Sequence, residues 1–143
     1  MLKQRLLDAG VDSLLWNSQF GFRQKRSTED AIFCTRRHIE SACARRYGQV
    51  SLLALGWAKA FDSVNVGRMF QCLSRFGIKG KPLKAIEGLM RNRSFFVEDC
   101  GNKSALQQQR SGISHGCTLS PLLFLIFMTL VMHEATELLS AEA

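Results

Sequence analysis

Apolar residues recur along this chain with two periods and in one short unbroken run, and each pattern predicts a different element. Residues 2–15 carry a weak helical pattern interrupted at Gly10, and residues 19–23 read as a turn-rich loop, aromatic and basic. Ser27 followed three residues later by Asp30 is a capping-box pattern, predicting a helix to about Tyr47 with Gly48 as its stop. Residues 50–57 are nearly continuous apolar sequence, as expected of a strand covered on both faces. Val66, Met69, Phe70 and Leu73 follow helical spacing, so residues 65–76 predict an amphipathic helix ended by Gly77. Pro82 suits the first turn of another helix, with Leu83, Ile86, Leu89 and Met90 on one face. Residues 95–98 and 105–110 read as two strands joined through Gly101-Asn102. Ser120 as N-cap and Pro121 as first helical residue then open an apolar final helix. The order predicts an α+β fold rather than a regular βαβ winding. No repeat, linker or low-complexity tract divides residues 1–143, so they read as one domain or a piece of one.

Composition changes this picture mainly through charge. A hydrophobic share of 46% and a charged share of 22% are ordinary for a packed globular chain, so disorder is not the default. The formal net charge of +7 is unevenly placed: Arg75, Lys79, Lys81, Lys84, Arg91 and Arg93 face one acid, Glu87. A second group comprises Arg23, Lys25, Arg26, Arg36, Arg37, Arg45 and Arg46. Charge alone leaves two readings open, a polyanionic partner or a solvated basic surface. Five cysteines without CxxC spacing do not form a disulfide framework or zinc site, which points to a reducing, intracellular setting. Lys3, Arg5 and Asp8 break any signal-peptide pattern. The apolar run 122–132 falls short of the ~18 residues that span a bilayer, so it is expected to be a core helix without membrane contact.

Three stretches carry the candidate chemistry: LLALGWAKAFDSV (52–64), SGISHGCTLSP (111–121) and QFGFRQKRSTED (19–30). Together they resemble the reverse transcriptases of non-LTR, LINE-like retroelements, over roughly residues 15–132 and in the order that class requires. The resemblance implies a partial right-hand polymerase, with a fingers remnant at 1–48 and part of the palm at 49–143. It implies in-line phosphoryl transfer assisted by two Mg2+ ions held by carboxylates on rigid strands. The first of those carboxylates belongs at position 56, where this chain has Gly56. The other two belong to an Asp-Asp hairpin, and no two aspartates are adjacent anywhere in the sequence. No metal ligand or catalytic residue is therefore expected on this polypeptide, and no small-molecule cofactor beyond the nucleotide.

The resemblance also assigns binding positions. Phe61 matches the ring beneath the sugar of the incoming nucleotide, though a core phenylalanine fits the same pattern. Gly116, Ser120 and Pro121 match the loop and helix start near the template pair, where glycine permits close backbone approach. His115 stands where glutamine is usual and Thr118 where proline is common, two departures from the class. Arg23, Lys25 and Arg26 match a nucleic-acid-contacting segment and would touch phosphates of an RNA or DNA template–primer. Asp62 reads as a cap for a helix starting near Ser63, and Glu134 with Glu137 as the polar end of the last helix. His38, His115 and His133 have no metal spacing, and no third residue makes Cys117 with His115 a nucleophile and base. Two functions follow: an inactive partial reverse transcriptase, or a nucleic-acid-binding module without chemistry. With neighbouring strands missing, the 50–55 strand is expected to leave an open apolar edge.

Overall fold

The computed structural model describes residues 1–141 and resolves two compact units, Met1–Leu15 with the chain from Ala58 onward, and Trp16–Trp57.

The first unit is built from helices. Helix α1 (Leu2–Asp8) ends before Gly10, whose φ of 84° turns the chain into a 3-10 turn at Val11–Leu14, as the interrupted pattern predicts. Helix α3 (Val66–Arg75) is capped by Asn65, whose side chain accepts from the Arg68 N–H at 2.9 Å, and Asp62 is not its cap. Helix α4 (Lys81–Met90) carries Pro82 in its first turn and buries Ile86 and Met90. Leu89, expected on that buried face, is instead exposed, because it lies about a quarter-turn from the stripe set by Leu83, Ile86 and Met90. Helix α5 (Ser120–Ala141) starts a residue earlier than expected: the Leu119 carbonyl accepts from the Leu123 N–H. Ser120 is thus inside the helix, its buried Oγ bonding none of the helix N–H groups, and it is not the N-cap.

Met69, Leu73, Ile86, Leu123 and Ile126 are completely buried and form one cluster with Leu6, Val11, Leu15, Val64 and Ile113. At ~25 cal/mol per Å² of apolar area, this cluster is the main source of stability. The first half of α5 lies in that core. Over Ser120–Leu138 the helix is also long and apolar enough, by length and composition, to cross a membrane.

Between α4 and α5 runs one interrupted hairpin. Strand β1 (Ser94–Phe95) pairs antiparallel with β4 (Gln107–Gln108), and β2 (Glu98–Asp99) with β3 (Asn102–Lys103). The tip is Cys100-Gly101, with φ of 46° and 83°, one residue before the expected turn. Positive φ at both central positions is what a tight two-residue hairpin needs. Helices and small antiparallel sheets make the fold α+β.

The second unit holds one helix, α2 (Thr28–Cys43). Its capping box is formed in both directions: Ser27 Oγ accepts from the Asp30 N–H at 3.1 Å, and Asp30 accepts from the Ser27 N–H at 2.8 Å. The helix stops at Cys43, short of the expected Tyr47. A Cβ on Gly48 would lie 1.9 Å from the Ala42 carbonyl oxygen, so this glycine folds tightly against the helix end and closes it. The expected strand at 50–57 is not formed. Leu52, Leu53 and Leu55 are exposed, and no strand among the described residues pairs with this segment. An apolar run becomes a strand only when a partner supplies the ladder hydrogen bonds.

Candidate functional site

The residues that carry chemistry in the first unit meet around a turn. Residues 58–63 fold back through a Ser63 N–H bond to the Lys59 carbonyl at 2.8 Å, which puts Phe61 and Asp62 on its far side. The 112–113 segment runs alongside: the Gly112 N–H donates to Val64 O at 2.8 Å and the Ile113 N–H to Phe61 O at 2.9 Å. Gly112 is required there twice over. Its φ is 86°, and a Cβ would sit 2.9 Å from both the Cα and the carbonyl oxygen of Asp62.

This seam brings together side chains far apart in sequence. His115 Nε2 lies 3.0 Å from Asp62 Oδ1, and the Phe61 ring stands 5.5 Å from His115 and 4.9 Å from Phe124 of α5. The Asp62–His115 contact is solvent-exposed, so it is worth about 0–1 kcal/mol and fixes position more than stability. Arg93 ties the seam down from behind. Its guanidinium donates to Met90 O, Gly112 O and Ser114 Oγ, linking the end of α4 to the loop before His115.

The remaining assigned positions are distributed around this cluster. Gly116 is exposed with φ 77°, so backbone conformation and not crowding demands glycine there. Pro121 is half-buried on the first turn of α5, and Ser120 is fully buried beneath it, out of reach of any solvent-borne ligand. Burial pushes the Cys117 thiol up, but the Leu119 and Ser120 backbone N–H groups outweigh it and leave its pKa below the ordinary 9.0.

In the second unit, Arg23 and Arg26 organise their own loop. Arg23 donates to Trp16 O at 3.2 Å, while Arg26 donates to Asn17 O and lies 5.3 Å over the Phe20 ring. Lys25 is exposed on a backbone with φ 58°. Gly56 lies on the exposed 50–57 segment with open space where a side chain would go. Among the described residues no three His, Cys, Asp or Glu side chains come together, and the Asp62 carboxylate is engaged by His115.

Three participants escaped the sequence reading: Asp62 as partner of His115, Gly112 and Arg93. An isolated glycine beside an apolar residue could have flagged Gly112 as a close approach. Nothing local marks Arg93 for the seam, where its two partners lie 19 and 21 positions away.

The sequence profile of the family described as reverse transcriptase (RNA-dependent DNA polymerase) matches residues 1–140. The chain belongs to the reverse transcriptase family. The family acts on nucleic acid, and the seam around Phe61 and His115 lies within the matched residues.

Proposed function

We propose that this chain is part of a reverse transcriptase of the non-LTR, LINE-like class, with a fingers remnant at 1–48 and a palm portion at 49–143. It keeps surfaces for a nucleotide and an RNA or DNA template–primer and does not itself catalyse polymerisation. The observation that carries the reading is the contact across 53 positions between Asp62, beside Phe61, and His115, beside Gly116. Two stretches that separately look like the nucleotide-facing parts of this class thus sit side by side. Inactivity follows from chemistry. Gly56 offers no carboxylate, residues 1–143 hold no adjacent aspartates, and two Mg2+ ions need several carboxylates at fixed separation.

The test uses the chain and a Gly56→Asp variant with a labelled RNA–DNA template–primer, magnesium and all four deoxynucleotides. Both are expected to bind it more weakly as salt rises and to extend it not at all. Extension by either would overturn the inactivity. Absent or salt-insensitive binding would overturn the retained surfaces.

A further inference from the structure

The six basic residues between Arg75 and Arg93 are sorted by the fold into two sets of three. Arg75 reaches Glu134 on α5. Arg91 pairs with Glu87 at 3.4 Å and stacks 5.3 Å over Phe70, and Arg93 spends its guanidinium on Met90, Gly112 and Ser114. Lys79, Lys81 and Lys84 are all exposed, and no carboxylate pairs with them among the described residues.

These three lysines stand on a rigid base. Ile78, next to Lys79, is buried, and its N–H donates to Leu73 O at 2.9 Å; Ile86 and Met90 anchor α4 in the core. Lys81 and Lys84 lie one turn apart on the outer face of α4, opposite Leu83, Ile86 and Met90, with Lys79 just ahead of them. Ala85 and Gly88 share that outer face and the exposed Leu89 stands at its edge, a single large apolar side chain where insertion into a bilayer needs a whole apolar face. The first turn of α4 contains no acid, and the helix dipole adds to the same sign of potential.

We propose that Lys79, Lys81 and Lys84 form a second nucleic-acid backbone contact, carried by the first unit and distinct from Arg23, Lys25 and Arg26. Three strongly hydrated point charges on a low face suit phosphates in series and read no base identity. The proposal rests on the family's nucleic-acid substrate and not on the loss of catalysis.

The test compares the full chain with two triple variants, Lys79→Gln/Lys81→Gln/Lys84→Gln and Arg23→Gln/Lys25→Gln/Arg26→Gln. Binding to a labelled single-stranded RNA is followed by anisotropy across a salt series, with a thermal melt to check folding. The α4 variant is expected to keep its melting midpoint, bind more weakly at low salt, and lose about 2 from the log–log salt slope, at ~0.7 per phosphate contact. A Lys→Arg triple at the same positions is expected to retain the slope. If the α4 variant binds like the parent while the loop variant weakens, this contact is overturned and nucleic-acid binding stands. A parent chain that binds no RNA overturns both, as does capture by phosphatidylserine vesicles without RNA binding.

Discussion

The two units of this chain obey different rules. The first buries sixteen hydrophobic residues in one cluster, while Trp16–Trp57 contributes none to it. Helix α2 has no buried residue, and Ile32 and Phe33 on its surface are 64% and 60% exposed. It is held by its capping box, an Arg36–Glu40 pair at 2.6 Å and Arg37 lying 5.8 Å over Phe33, each worth tenths of a kcal/mol to about one. Sixteen residues are barely past the ~12–15 below which an isolated helix is marginal in water. Local signals therefore suffice to draw a helix, but only non-local burial makes one robust.

The largest effect that would sharpen this contrast comes from truncating matched side chains. Ile126→Ala empties a fully buried site in α5 and is expected to cost about 2–5 kcal/mol in urea unfolding. Ile32→Ala, on the exposed face of α2, is expected to stay within about 0.5 kcal/mol. A cost at Ile32 comparable to that at Ile126 would break the comparison, because it would mean that α2 is packed.

A smaller effect separates two glycines. Gly112→Ala forces a left-handed backbone and pushes a Cβ against the Asp62 main chain, costing roughly 1–3 kcal/mol from the backbone alone. It is also expected to shift the His115 ring resonances, since the seam must open. Gly56→Ala meets nothing within 4 Å and is expected to change stability by less than about 1 kcal/mol. Equal destabilisation by the two would show that the 50–57 segment is not the open chain described above.

What could be read from sequence follows the same division. The capping box at Ser27 and Asp30, the α3 stripe of Met69, Phe70 and Leu73, and the break at Gly10 depend on neighbours within a few positions, and all are present. The 50–57 run departs from its expected strand because its composition is that of a strand while pairing depends on another segment. At the site, motif resemblance singled out Phe61, His115 and Gly116. The Asp62–His115 contact could not be read, because 53 positions of chain must fold before the two meet. Asp62 accordingly looked like a helix cap, the commonest local use of an aspartate before a helix. The last helix starts one residue before the Ser-Pro pattern places it, and that single step puts the Ser120 hydroxyl in the interior and not at the cap.

The smallest effect tests whether the second unit rests on its cap. Ser27→Ala removes the hydroxyl that accepts from the Asp30 N–H, and is expected to cost α2 about 1 kcal/mol, read as faster amide exchange in its first turns. The Asp30 carboxyl is held below its ordinary 3.8, first by the Ser27 hydroxyl and then by the Ser27 backbone N–H. A depressed carboxylate stabilises the folded form fully above its unfolded value and loses that support as pH falls through the folded one. Exchange protection in α2 should therefore drop on acidification below pH 3.8, with this step weakened in Ser27→Ala, where the largest cause of the shift is gone. Protection in α3 and α5, set by burial, should not follow that step. An α2 transition of the same size with and without Ser27 would show that something other than the capping box holds the helix, and the contrast between the units would need a second contact to explain it.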